Sequence, residues 1–226
     1  MSHRTRIKLC GLTRSEDIRA AVAVGADAIG LVFYPPSPRH VSAAQAAGLL
    51  RELPPFVSSV GLFVNAELEQ VREVLSVAPI AMLQFHGDET PAQCAAIAKS
   101  VGRPFLRALR IRPETQPADL LESVYEHRDS SPLFAGLLLD TWSDAYGGTG
   151  KAFDWSLIPA EIAHQAVLSG GLNAQNVTDA VRRIRPHAVD VSSGIESSKG
   201  VKDAALMRAF VDAVRSGDLP AGSDSP

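Results

Sequence analysis

The chain of 226 residues has a formal net charge of −3, with 46% hydrophobic, 6% aromatic and 21% charged residues, values ordinary for a globular protein. The missing basic excess gives no reason to expect nucleic acid or an anionic membrane as partner, and no stretch approaches the roughly 18 apolar residues of a membrane span. Two cysteines, Cys10 and Cys94, fit neither a disulfide framework nor a clustered metal site and suggest a reducing, cytoplasmic setting.

Short apolar, β-rich runs recur in chain order at 6–10, 27–33, 57–64, 81–86, 104–109, 134–140, 165–169 and 188–192. Between them lie segments with helical spacing, such as Ile18, Ala21 and Val22, or Leu68, Val71, Val74 and Leu75,. Helix starts are marked by three capping-box patterns, Thr13 to Glu16, Ser42 to Gln45 and Thr90 to Gln93, with Asn65 and Asn173 as further caps and Pro91 at a first helical position,. Eight strand-helix units in this length, with strands often apolar on both faces, predict one α/β domain over 1–215, a closed (β/α)8 TIM barrel. An open doubly wound sheet is the alternative; no early turn carries G-x-G-x-x-G, which weighs against its dinucleotide-binding form. The polar tail 216–226, "SGDLPAGSDSP", is expected to be disordered beyond the last helix.

In a parallel barrel the active site lies at the C-terminal strand ends, which directs attention to Cys10, Arg39, His86, Asp140 and Asp190. Lys8 and Cys10 share a strand face, and an inward-pointing ammonium would favour the Cys10 thiolate. The competing reading is an inert, buried cysteine, which is the reading for Cys94 within a helix. Asp140 ends the apolar run "GLLLD", where burial would raise its pKa and let it serve as a general acid; otherwise it caps the following loop. "LSGGLNAQNV" and "VDVSSGIESSKG" place glycines and serines before helix starts, in the two loops that often form a phosphate site in barrels. Arg39, in a loop of three prolines, presents a fork suited to a carboxylate or simply a solvated charge. "AYGGTGKAFDW" (145–155) lacks P-loop spacing and reads as a flexible active-site loop.

The ordered set "KLCGLT", "GLVFYPPSPRHVS", "VGLFVN", "LQFHGDE", "LLLDT", "GGTGKAFDW", "LSGGLNAQNV" and "VDVSSGIE" resembles the phosphoribosylanthranilate isomerase family of tryptophan biosynthesis, from about Lys8 to Val214. The resemblance implies a cofactor-free, metal-free Amadori rearrangement of N-(5-phosphoribosyl)anthranilate to 1-(2-carboxyphenylamino)-1-deoxyribulose 5-phosphate. It implies Cys10 as general base and Asp140 as general acid. It further implies Arg39 on the anthranilate carboxylate, Gly170, Gly171, Ser193 and Gly194 on the phosphate, Asp190 on ribose hydroxyls, and His86 either lining the pocket or holding structure. The related histidine-pathway or dual-substrate barrels use a carboxylate as the base on strand one, where this chain has Cys10. A catalytically silent phosphate-binding barrel would need neither Cys10 nor Asp140. A monomer is expected, with a homodimer left open.

Overall fold

The computed structural model describes residues 3–141 and 153–220. Strands and helices alternate: β1 (Arg6–Cys10), α1 (Ser15–Val24), β2 (Ala28–Val32), α2 (Ala43–Leu50), β3 (Ser58–Phe63), α3 (Leu68–Val77), β4 (Met82–Phe85) and α4 (Pro91–Val101) form the first half. The second half comprises β5 (Phe105–Ile111), α5 (Pro117–Ser130), β6 (Phe134–Thr141), α6 (Ala160–Ala163), β7 (Val167–Leu168), α7 (Val177–Ile184) and β8 (Ala188–Val191). A hairpin of β9 (Glu196–Ser198) and β10 (Val201–Lys202) precedes α8 (Ala204–Asp218). Each of the first seven strands pairs in parallel with the next, and β8 pairs in parallel with β1. The sheet is therefore closed, and the open doubly wound alternative is excluded.

Strand alternation sorts the side chains into two layers. On β1, Ile7 and Leu9 join the main core between barrel and helices, together with Ile29, Leu83, Leu139 and Val189 from other strands. Leu106, Ala108, Leu138, Val167 and Ala188 form a second, smaller apolar cluster, with Met82 against it. These are the positions in phase with Lys8 and Cys10, so the second cluster fills the inside of the barrel beneath the polar strand ends.

The capping boxes at Ser42 and Thr90 form, and Pro91 takes the first turn of α4. The one expected at Thr13 does not: Arg14 precedes α1 without a side-chain cap, and its guanidinium instead holds Asp17 at 2.6 and 3.0 Å. Asn65 does not cap α3, which Glu67 caps reciprocally with Gln70. Asn65 is left-handed, and its Oδ1 accepts from the Asp88 N–H at 2.7 Å, tying the loop after β3 to the loop after β4. Asn173 caps the turn before α7, accepting from the Gln175 N–H, while Asn176 precedes the helix itself. The last helix runs past residue 215 to Asp218, whose carboxylate accepts from the Thr5 N–H and hydroxyl at 2.8 and 2.7 Å. This tie between the two ends of the barrel explains why residues 216–218 are helical despite their polar composition. No helix among the described residues is long and apolar enough to cross a membrane.

Candidate active site

The C-terminal strand ends surround an open cavity. Cys10, Arg39, His86, Asp140, Gly170, Gly171, Asp190 and Ser193 all line it. Gly194 does not. Of the loop 145–155, residues 145–152 lie outside the described residues; Phe153 and Trp155 pack against the core.

β1 delivers Cys10 to the cavity, opposite Gly30 on β2 in the sheet register. A Cβ on Gly30 would stand 2.6 Å from the Cys10 sulfur and 3.1 Å from Lys8 Nζ, so the glycine creates the space the thiol occupies. One pleat deeper, Lys8 is the register partner of Asp190 on β8 and donates to its Oδ1 at 2.7 Å. Both are buried. Burial opposes the Lys8 charge, but Asp190, and then Cys10, hold the ammonium above the ordinary lysine range,. Burial likewise pushes the Cys10 thiol up, and Asp190 adds to that push, while Lys8 pulls down without prevailing. Burial therefore outweighs the pull of Lys8, with Asp190 adding to it, and the thiol is favoured over the expected thiolate. Cys94 is fully buried in α4, pushed up to about 12 chiefly by burial, an inert packing residue.

Asp140 ends β6 half-buried rather than buried. Its Oδ1 accepts from the Thr141 N–H at 2.8 Å, and its Oδ2 lies 3.1 Å from His86 Nε2. His86 Nδ1 in turn lies 2.8 Å from Gln84 Nε2. Gln84 and His86 are two residues apart and point to the same side of the β4 end. The sequence signal for Gln84 was an amide inside the apolar run "MLQF", and it went unread. Behind them, the buried Arg107 holds the Phe85 and Gly87 carbonyls and the Glu89 carboxylate at 3.1, 3.1 and 2.9 Å, which fixes the loop carrying His86.

Arg39 is buried against the left-handed Gly11, where a Cβ would meet Arg39 Cδ at 2.5 Å. One edge of its fork is occupied: Nε and Nη2 donate to the two oxygens of Glu196 at 2.7 and 2.8 Å. Glu196 Oε1 also accepts from Lys202 Nζ at 2.7 Å, and the same ammonium holds the Ser192 carbonyl and hydroxyl at 2.9 and 3.1 Å. Burial would raise the Glu196 pKa, but Arg39 and Lys202 hold it below the ordinary carboxylate range. Burial lowers that of Lys202 despite Glu196. Neither Glu196 nor Lys202 was found from sequence, because both sit in "IESSKGVK", which reads as a turn and folds as the β9–β10 hairpin.

The two turns after β7 and β8 form the other wall. Gly170 and Gly171 are both left-handed, and a Cβ on Gly170 would stand 2.8 Å from Asp140 Oδ1, so glycine lets this turn lie against the end of β6. Among the described residues, the N–H groups of Gly170, Gly171, Ser193 and Gly194 donate to no protein acceptor. Clustered, unsatisfied N–H groups attract an anion. Gly194 has a packing duty, since a Cβ there would meet the Leu172 carbonyl at 2.0 Å; its missing side chain allows the two turns to touch. Asp190, expected on ribose hydroxyls, has Oδ1 held by Lys8 and Oδ2 3.4 Å from the Ser169 hydroxyl.

A family model described as N-(5'phosphoribosyl)anthranilate (PRA) isomerase matches residues 7–213. A Herminiimonas arsenicoxydans protein named N-(5'-phosphoribosyl)anthranilate isomerase is 63% identical over 218 residues, 96% of each chain. The crystal structure of phosphoribosyl anthranilate isomerase from Thermotoga maritima has a TM-score of 0.81 and 41% identity, covering 93% of this chain and 98% of that one. A crystal structure of such an enzyme in complex with reduced 1-(o-carboxyphenylamino)-1-deoxyribulose 5-phosphate has a TM-score of 0.78 and 38% identity, with coverage of 93% and 98%.

Proposed function

The chain belongs to the N-(5'-phosphoribosyl)anthranilate isomerase family of tryptophan biosynthesis, and on that premise we propose that Cys10 and Asp140 are the base and acid of its Amadori rearrangement. The observation that carries the assignment is their placement at the ends of β1 and β6, facing one cavity whose far wall offers N–H groups that donate to no acceptor among the described residues.

Asp140 gives a proton to the ribose ring oxygen as the C1′–O bond breaks, and the anthranilate nitrogen lone pair forms the C1′=N bond. Cys10, as thiolate, takes the C2′ proton, and the released electron pair makes the C1′=C2′ enolamine. Tautomerisation to the C2′ ketone completes the isomerisation with no atoms gained or lost. Lys8 stabilises the thiolate at the moment of transfer, and Asp190 serves by holding Lys8 rather than by touching ribose. The phosphate sits on the N–H groups of Gly170, Gly171, Ser193 and Gly194, anchoring the substrate by a group remote from the reaction. Arg39 meets the anthranilate carboxylate through Nη1, which makes no hydrogen bond among the described residues, with Glu196 fixing the other edge of its fork. His86 lines the pocket beside Asp140. All these residues come from one barrel, so the active unit is a single chain.

Cys10→Ser and Asp140→Asn are each expected to lower turnover by about 10²–10⁴-fold, the usual weight of a general acid or base, with product affinity little changed. Loss of substrate fluorescence on conversion reports the rate, and full activity in either variant discards the pair. Competition with the histidine-pathway phosphoribosyl substrate tests specificity; equal turnover of both would refute a single-substrate enzyme.

A further inference from the structure

The Gln84 side chain is completely buried, yet its Oε1 has no hydrogen-bond partner among the described residues, while its Nε2 meets His86 Nδ1. An amide nitrogen can only donate, so in this arrangement Nδ1 accepts, the imidazole proton is on Nε2, and it is donated to Asp140 Oδ2,. That state pairs a neutral imidazole with a carboxylate, and a carboxylate has no proton to give. Because Oε1 is unpartnered, nothing but His86 fixes the orientation of the Gln84 amide. A half-turn of the amide puts Oε1 against Nδ1 and calls for a proton there.

We propose that Gln84 and His86 are positioning residues that store the proton of Asp140. The proposal rests on Asp140 being the acid. With Oε1 accepting from Nδ1–H, the ring offers the Nε2 lone pair to an Asp140 O–H; this arrangement holds one proton more than the first. In turnover the Asp140 O–H breaks, its proton goes to the ribose ring oxygen, and Asp140 is left as carboxylate. Cys10 meanwhile has gained the C2′ proton. One proton must therefore pass from Cys10 to solvent water and one from solvent to His86 Nε2, which delivers it to Oδ2 and resets the acid. The other charges around the pair are accounted for among the described residues. Arg110, the register partner of Asp140 on β5, is paired with Asp88 beside His86. Arg107 is paired with Glu89 behind the loop, Lys8 with Asp190 and Arg39 with Glu196 across the cavity, where Cys10 also faces. Among the described residues, His86 is the titratable group in contact with Asp140.

The test compares wild type, His86→Asn, Gln84→Glu and Asp140→Asn. Asparagine can still donate to Oδ2 but cannot carry a proton. His86→Asn is expected to lower kcat about 10²-fold with KM within a few-fold, to remove one ionisation from the pH profile of kcat, and to recover rate in proportion to added imidazole. Wild-type kcat in His86→Asn, or a loss that imidazole does not restore, overturns the store. Asp140→Asn separates the two claims: its full activity would discard the acid itself, whereas an inactive Asp140→Asn beside a fully active His86→Asn discards the store alone. Nitrogen-15 NMR of His86 reads the same idea without activity. The wild-type free protein should show the Nε2–H form, and Gln84→Glu, whose carboxylate accepts from Nδ1–H, should shift it to the Nδ1-protonated form; an unchanged spectrum refutes the coupling.

Discussion

Lys8→Met removes one member of a buried ion pair and leaves the Asp190 carboxylate uncompensated beneath the active site. The two side chains are 5% and 6% exposed and 2.7 Å apart, so little solvent can replace the lost ammonium. Breaking such a pair typically costs about 3–5 kcal/mol. For a domain of this size each kcal/mol moves the melting temperature by about 2–4 °C, so thermal unfolding followed by circular dichroism should fall by about 6–20 °C. The double variant Lys8→Met/Asp190→Leu removes both charges and should recover most of that loss, since an apolar pair of similar volume is often neutral against a buried ion pair. Activity should follow a different course. Lys8 is the chief group pulling the Cys10 thiol down, so turnover stays low in the double variant even where the fold is restored. A single variant melting within 2 °C of wild type would refute the claim that Asp190 depends on Lys8. A double variant with wild-type turnover would refute the role of Lys8 at the thiolate.

Three further outcomes follow from the geometry. Iodoacetamide labelling of the free protein should rise with pH about a midpoint above the ordinary thiol value of about 8.5, because burial raises Cys10 and a raised thiol is protonated at neutrality; Cys94, pushed up to about 12, stays silent, and labelling already maximal at pH 7 would refute the thiol form. Gly194→Ala should raise KM at least about 10-fold with a smaller effect on kcat, since the new Cβ would stand 2.0 Å from the Leu172 carbonyl and part the two turns; an unchanged KM would show that their contact does not shape the anion site. His127 is buried among Phe105 and Phe134 with no partner for Nε2 among the described residues, and burial lowers its pKa below the unfolded value. The unfolded chain therefore takes up its proton first on acidification, so stability falls as pH drops below about 6.5 and this contribution levels off below the folded pKa; His127→Phe should lessen that slope in urea titrations, and an identical slope would refute it.

The barrel was legible because its signals are local and repeated. Eight apolar runs, each followed by a helical period, need only strand alternation and helix capping to be read, and Ser42 and Thr90 cap as their spacing implies. Failures occurred where a side chain took a partner outside the capping pattern. Arg14 is drawn to Asp17 and to the Lys202 carbonyl at 2.9 Å. Asn65 is drawn to the loop after β4, leaving the start of α3 to Glu67.

The site shows the same division at higher cost. Strand ends of a barrel are brought together by closure, so Cys10, His86, Asp140 and the glycine turns could be placed at one mouth from chain position alone. What chain position cannot supply is which charges cancel. Lys8 beside Cys10 implied a thiolate, but burial holds the thiol up, and Asp190, 182 residues away, shares the ammonium. Arg39 implied an open fork, but Glu196, 157 residues away, takes its Nε and Nη2 edge. In both cases the partner that shares the cation lies far along the chain, and a buried charge acts according to the sum of its neighbours. The same rule gives the two pairs different tasks. Asp190 is paired with Lys8, whereas Glu196 is shared by Arg39 and Lys202, so that buried cluster carries one positive charge in excess beside the cavity.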